Sequence, residues 1–146
     1  MEQILSMIGL AKKAGRVEIG EEPVGAAARA RKARIILLAS DAAPASARRA
    51  ASFAQTGSCL LLTVPAHKDA LGRALGRASV AMAAVTDIGF ADAIVRKLAA
   101  LDGRYASASE QLAVKARRAL ERRQEQARHE KNLRRGKQRG RSRKTK

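Results

Sequence analysis

The sequence predicts an α/β fold: a three-layer α/β/α sandwich around a mixed central sheet of about four strands, extended at its C-terminus by a basic helix. Three observations lead there. Helical and strand-like patterns alternate strictly through the first 100 residues, and in such an alternation each crossover helix covers a face of one shared sheet. The segments ARIILLAS, CLLLTV and SVAMAAV show no polar alternation, which suits strands covered on both faces. The charge is uneven: residues 1–100 hold 14 basic and 8 acidic side chains, net +6, whereas residues 101–146 hold 16 and 5, net +11. We therefore expect a folded domain over 1–101, a basic helical extension over 102–135 and a disordered basic tail over 136–146.

The elements follow in order. Ile4, Leu5, Ile8 and Ala11 share one helical face, and Gly15 ends that helix. RVEIG reads as a short strand. A helix then runs from Glu21 to about Arg31, with Pro23 in its first turn, where a missing N–H costs nothing. ARIILLAS is a buried strand, and Pro44 and Gly57 bracket the next helix. CLLLTV and SVAMAAV are further strands, separated by a helix from about His67 to Leu75. Phe90, Ile94, Leu98 and Leu101 recur at helical spacing and finish the domain. With Phe53, Phe90 and Tyr105 as the only aromatic residues, the layers must pack closely around Ala, Leu, Ile and Val. Beyond Ser107, helix formers dominate and Glu and Arg recur three or four residues apart. The apolar stripe there, Leu112, Ala116, Ala119 and Leu120, is thin and predicts weak docking. From Lys131 onward 9 of 16 residues are basic and none is acidic, a composition that cannot bury a core.

Composition also narrows the function. Thirty Lys and Arg against 13 Asp and Glu give a formal charge of +17, the footprint of a protein held by polyanions, nucleic acid above all. The single cysteine, Cys59, lies in an apolar run and reads as a small buried hydrophobe in a reducing compartment. No segment approaches the roughly 20 apolar residues of a membrane span, and MEQILSMIGLAKKAG lacks the basic n-region ahead of a continuous apolar block that a signal peptide would show. A cytoplasmic protein, monomeric when free, is expected. His67 and His129 are the only histidines and read as surface residues; with one cysteine they supply too few ligands for a tetrahedral metal site. They are equally poor partners for a nucleophile. GRALGR is not a dinucleotide fingerprint. No catalytic residue, metal or cofactor is therefore nominated. Asp41, Asp69, Asp87 and Asp92 could form a carboxylate set, but Asp41 and Asp87 each stand between a strand and a helix, where helix-start chemistry explains them.

Two segments invite a functional reading. LGRALGRAS, Leu71 to Ser79, is either a helix C-cap and turn with solvated arginines, or a loop where backbone approaches nucleic acid while Arg73 and Arg77 meet phosphates. Glu21 and Glu22 open a helix at a place where a phosphate would ordinarily be welcomed. Acids there complement the helix dipole by about 0.3–1 kcal/mol without any ligand.

Together GLAKKAGRVEIGEE, ARKARIILLASDAAP, LGRALGRAS and AVTDIGFADAI, in this order and at these separations, resemble the kink-turn-binding ribosomal protein family, and within it the bacterial YlxQ-like branch. The resemblance covers roughly residues 3–100. It implies an α/β/α sandwich that grips structured RNA, ribosomal RNA in particular, with two regions on one side of the domain. One is the start of the helix after the first strand, Gly20 through Ala26; the other is the loop before the last strand, Leu71 through Ser79. The residues implied are Gly20, Glu21, Glu22, Leu71, Gly72, Arg73, Gly76, Arg77, Ala78 and Ser79. Lys32, Arg34, Arg73 and Arg77 would hold phosphates, with Lys12, Lys13 and Arg16 further out. A carboxylate at this place would accept a hydrogen bond from a guanine N–H. The family's kink-turn readers carry an Asn, a Glu and a Lys where this chain has Glu22, Pro23 and Ala26. Three rival readings remain: a non-specific nucleic-acid binder driven by its tail, an RNA-holding accessory of an RNA-modifying enzyme such as a SpoU-type methyltransferase, and a docking module for an acidic protein.

Overall fold

The computed structural model of the chain describes residues 1–144, with side chains through residue 137. Its elements are α1 (Glu2–Lys13), β1 (Val17–Ile19), α2 (Glu21–Arg29), β2 (Ile35–Ala39), α3 (Pro44–Gly57), β3 (Leu60–Val64), α4 (Lys68–Ala74), β4 (Met82–Val85) and α5 (Ile88–Leu101). A short 3-10 turn (Gly103–Tyr105) then leads into α6 (Ala106–Lys144). The four strands form one mixed sheet in the order β1-β4-β2-β3, with β4 antiparallel to both β1 and β2, and β2 parallel to β3.

The register fixes which residues share an end of the sheet. Val17, Val85, Ile35 and Leu60 lie level with one another at one end. At the other, Met82 pairs with Leu38, Ala39 with Val64, and the Gly20 N–H donates to the Met82 carbonyl at 3.1 Å. These are called below the Arg34 end and the Gly20 end.

Side chains alternate across the pleat and so build two cores from one set of strands. Ile35, Leu37, Ala83 and Val85 face α1, α4 and α5, where Ile8, Leu71 and Ile94 are fully buried. Ile36, Leu38, Met82 and Ala84 face α2 and α3, where Val24 and Ala50 close the layer. This is why β2 and β4 read as unbroken apolar runs. Fully burying one such Leu or Ile is worth about 1.5–3 kcal/mol.

Two expectations need correction. CLLLTV is an edge strand: Leu60, Leu61 and Leu62 are only half-buried and Thr63 is exposed. An apolar run reads alike in a central and an edge strand, and only the pairing order separates the two cases. The second correction concerns α6, which docks firmly along its first turns. Tyr105, Ala108 and Leu112 are buried in the core that holds Val95 and Leu98, and Ala116 and Ala119 are half-buried. The Tyr105 hydroxyl donates to the Thr63 carbonyl at 2.5 Å. The docking face thus begins a turn before the stripe that the sequence suggests, while Leu120 is 55% exposed. Beyond that point α6 runs as far as Lys144, into the segment for which composition predicts a disordered tail, and Arg, Lys and Gln are good helix formers. Residues 145 and 146 of that expected tail lie outside the described residues.

Candidate nucleic-acid interface

At the Gly20 end two loops converge because hydrogen bonding leaves them no alternative. Gly20 turns the chain from β1 into α2 at φ +94°, a backbone angle that residues with a Cβ rarely adopt. The loop that feeds β4 leaves α4 through Leu75 and Gly76. It is folded back on α4: the Arg77 N–H donates to the Gly72 carbonyl at 2.7 Å and the Val80 N–H to the Lys68 carbonyl at 3.0 Å. Gly72 permits this, since a Cβ there would lie 2.7 Å from the Arg77 carbonyl oxygen and 2.9 Å from the Ser79 nitrogen. The start of α2 is itself bonded to Met82, so the loop must arrive beside it. Gly20, Glu21, Ser46, Arg77, Ser79 and Met82 consequently line one concavity of about 230 Å³.

The charges at this edge are of both signs. Glu21 is paired with Arg49 of α3, while Glu22 lies exposed beside it, near Arg29 and Phe53. An exposed pair of this kind is worth about 0–1 kcal/mol, so the Glu21 carboxylate is free to exchange it for a stronger partner. Arg73 and Arg77 are exposed, and among the described residues neither has a carboxylate partner. Arg73 also borders a groove of about 940 Å³ between α1 and α4, with Lys12, Lys13 and Leu10.

The structure sorts the residues expected at the site. It brings Gly20, Glu21, Arg77 and Ser79 together, and leaves Glu22, Arg73, Gly76 and Ala78 exposed around or next to them, Gly76 at φ +72°. Leu71 and Gly72 are buried, so they shape the loop from inside and do not reach a ligand. Lys32 and Arg34 lie at the opposite end of the sheet from Gly20: the Arg34 N–H donates to the Val85 carbonyl at 2.8 Å, just ahead of the start of β2. Arg16 lies there too, its carbonyl accepting from the Thr86 N–H at 2.9 Å. Lys12 is committed elsewhere, its ammonium donating to the Leu75 carbonyl at 2.7 Å and so closing the end of α4. Lys13 remains exposed on the α1–α4 groove.

Sequence reasoning missed Ser46 and Arg49, which sit on the first turns of α3. Pro44 announces that helix, but nothing local says that it starts beside Glu21. Asp41 and Asp87 act at helix starts, with one surprise, whereas Asp92 lies inside α5, buried and paired with Arg96. Asp87 accepts from the Phe90 N–H at 2.9 Å, capping its own helix α5. Asp41 instead accepts from the Lys68 N–H at 2.7 Å and caps α4, reached across the top of the sheet.

His67 and His129 are exposed. Burial pushes the Cys59 thiol pKa up, opposed by the nearby Lys115 ammonium. The hydrogen bonds from Arg104 hold the Asp102 carboxyl below the usual range. Among the described residues no group of His, Cys, Asp and Glu is placed to hold a metal ion, and no helix is long and apolar enough to cross a membrane.

Comparison with known proteins agrees with this architecture. Residues 2–95 match the model of the ribosomal protein L7Ae/L30e/S12e/Gadd45 family. The RNA-binding protein YlxQ of Bacillus subtilis is 33% identical over 96 residues, which span 63% of this chain and 91% of that protein. A solved structure of a Bacillus halodurans protein of unknown function is 32% identical, covers 67% of this chain and 94% of its own, and superposes with a TM-score of 0.57. A 15.5 kD RNA-binding protein of Giardia lamblia shares the fold at 15% identity, with a TM-score of 0.55 over 74% of this chain and 85% of its own. The chain belongs to the ribosomal protein L7Ae/L30e/S12e/Gadd45 family, in its YlxQ-like branch.

Proposed function

We propose that this chain is a non-enzymatic, cytoplasmic RNA-binding protein of the translation apparatus, and that the Gly20 end of its sandwich holds structured RNA. The observation that carries this reading is the shared concavity of Gly20, Glu21, Arg77 and Ser79. Arg77, without a carboxylate partner among the described residues, lines it for phosphate, Arg73 borders the neighbouring α1–α4 groove, and the Glu21 carboxylate within it is suited to accept from a guanine N–H. The family's named RNA-binding members support it. Internal loops that expose guanine edges, kink-turns among them, and ribosomal RNA in particular are the ligand class.

Glu22, Pro23 and Ala26 replace the family's reading set, so recognition passes to Glu21, Glu22 and the backbone around Gly20. Arg73 and Arg77 position the RNA, and the basic extension adds affinity without choosing sequence. Contacts to about 6 phosphates would give a log–log salt slope near −4 on single-stranded RNA.

Binding isotherms test this. Arg73→Ala with Arg77→Ala should weaken binding to a stem–internal-loop–stem RNA several-fold with no change in melting temperature. Deleting residues 131–146 should flatten the salt slope and preserve the preference among RNAs. Unchanged isotherms for the double variant would refute the assignment of the loop. Loss of preference on deletion would make the extension the reader.

A further inference from the structure

At the Arg34 end lies a second cationic surface that the proposed RNA site does not use. Arg16, Arg31, Lys32 and Arg34 are all exposed there. Arg16 and Arg34 flank the end of β4 from opposite sides, their backbones bonded to Thr86, just past the strand, and to Val85, its last residue. Arg31 holds the left-handed position after α2 at φ +56°, where glycine is the common choice, and it places a guanidinium beside Lys32. None of the four has a carboxylate partner among the described residues. Along β2, six residues from Arg34 to Ser40 at about 3.3 Å each separate the two ends by roughly 20 Å. Exposed Glu18 stands on β1 between Arg16 and Gly20.

The direction of α6 joins its basic arm to this same surface. Helix α5 starts three residues after Val85, at the Arg34 end, and runs toward the opposite end. The four-residue connection from Asp102 to Tyr105 makes α5 and α6 an antiparallel hairpin, so α6 returns toward the end at which α5 began. Its buried and half-buried positions, Ala108, Leu112, Ala116 and Ala119, span about the length of α5. The proximity of Lys115 to Cys59, just before β3, agrees. Past Leu120 the helix leaves the domain carrying Arg122, Arg123, Arg128, Lys131, Arg134, Arg135 and Lys137 against Glu121, Glu125 and Glu130.

We infer that the Arg34 end and the projecting part of α6 form a second RNA-binding surface for the phosphate backbone of a plain duplex segment, so that the protein bridges two RNA segments from opposite ends of one sheet. The inference rests on the Gly20 end being an RNA site. RNA is favoured as the occupant because the surface pairs a patch of four cations with a projecting helix of mixed but strongly positive charge. That is backbone recognition without an apolar face to enter a bilayer or pack on a protein.

The test uses the full chain with a donor-labelled stem–internal-loop–stem RNA and an acceptor-labelled plain RNA duplex of about 20 base pairs, long enough for two grooves. Energy transfer between the two RNAs is expected on adding protein. The combined variant R16Q, R31Q, K32Q and R34Q should abolish transfer and weaken duplex binding about ten-fold, with its salt slope flattened by up to about 0.9 for each phosphate no longer neutralised. Its melting temperature and its affinity for the internal-loop RNA should stay unchanged. Persisting transfer, or equal weakening toward both RNAs, would overturn the inference by showing one continuous surface. Dependence of phosphatidylserine-vesicle binding, and not of duplex binding, on these four residues would overturn it in favour of a membrane. The R73A/R77A variant separates this from the underlying reading. If it leaves internal-loop binding intact, the Gly20 site fails and bridging fails with it, whereas failure of the quadruple variant alone leaves that site standing.

Discussion

Gly72 bears directly on how the fold makes the site, and its replacement by alanine is a stringent perturbation. The added Cβ would lie 2.7 Å from the Arg77 carbonyl oxygen, 2.9 Å from the Ser79 nitrogen and 3.0 Å from the Ala78 carbonyl carbon, all of them backbone atoms. Restoring an ordinary separation near 3.4 Å requires a shift of about 0.7 Å in that loop. The loop cannot yield freely, because the Arg77 N–H is bonded back to the Gly72 carbonyl and Val80 to Lys68. Overpacking of this kind costs about 1–3 kcal/mol. For a domain of this size that is a fall in melting temperature of roughly 4–15 °C. The shift moves Arg77 and Ser79 relative to Gly20, so affinity for structured RNA should fall several-fold even well below the melting temperature. Gly103→Ala is the matched control, since nothing lies within 4 Å of a Cβ there and its φ is not positive. Thermal melting by circular dichroism and an RNA isotherm at about 20 °C below the variant's own midpoint read the two effects separately. Equal melting and equal affinity for G72A, G103A and the parent would refute the close approach and the argument built on it.

Two further outcomes test the docking of α6. Leu112→Ala should destabilise the domain by about 2–5 kcal/mol, while Leu120→Ala, one docked turn too late, should leave the unfolding midpoint unchanged. Cys59 should alkylate more slowly than a free thiol near pH ~8, and Lys115→Met should slow it further by removing the charge that opposes burial. The raised pKa favours the protonated thiol in the folded state. Its contribution to stability is therefore present below the ordinary thiol pKa and is lost as pH rises through the folded value, and a denaturation series across the alkaline range reads that loss.

Much of the fold was legible because β2 and β4 bury both faces and so leave an unmistakable apolar imprint. Caps were legible too: Gly15, Pro44 and Asp87 stand where the helices change. The edge position of β3 was hidden, since Leu60 to Leu62 would read the same in the centre of the sheet. The site was half legible. Gly20 and the Arg77 loop belong to motifs with a fixed relation to the strands they serve. Lys32 and Arg34 stand apart from the Arg77 loop because β2 and β4 are antiparallel, so the segments that precede them emerge at opposite ends of the sheet. Charge and nearness in sequence carry no information about strand polarity. Arg49 and Asp41 act on neighbours that only the tertiary structure supplies.

The claim on which the account turns is that the edge shared by Gly20 and Ser79 lies against structured RNA in the cell. A photocrosslinking residue placed at Ser79, with exposed Gln3 of α1 as the control position, addresses it directly when the attached RNA is sequenced. The account predicts crosslinks from Ser79 that concentrate on a small number of folded RNA elements, with few from Gln3. Crosslinks from Ser79 as sparse and as scattered as those from Gln3 would contradict it.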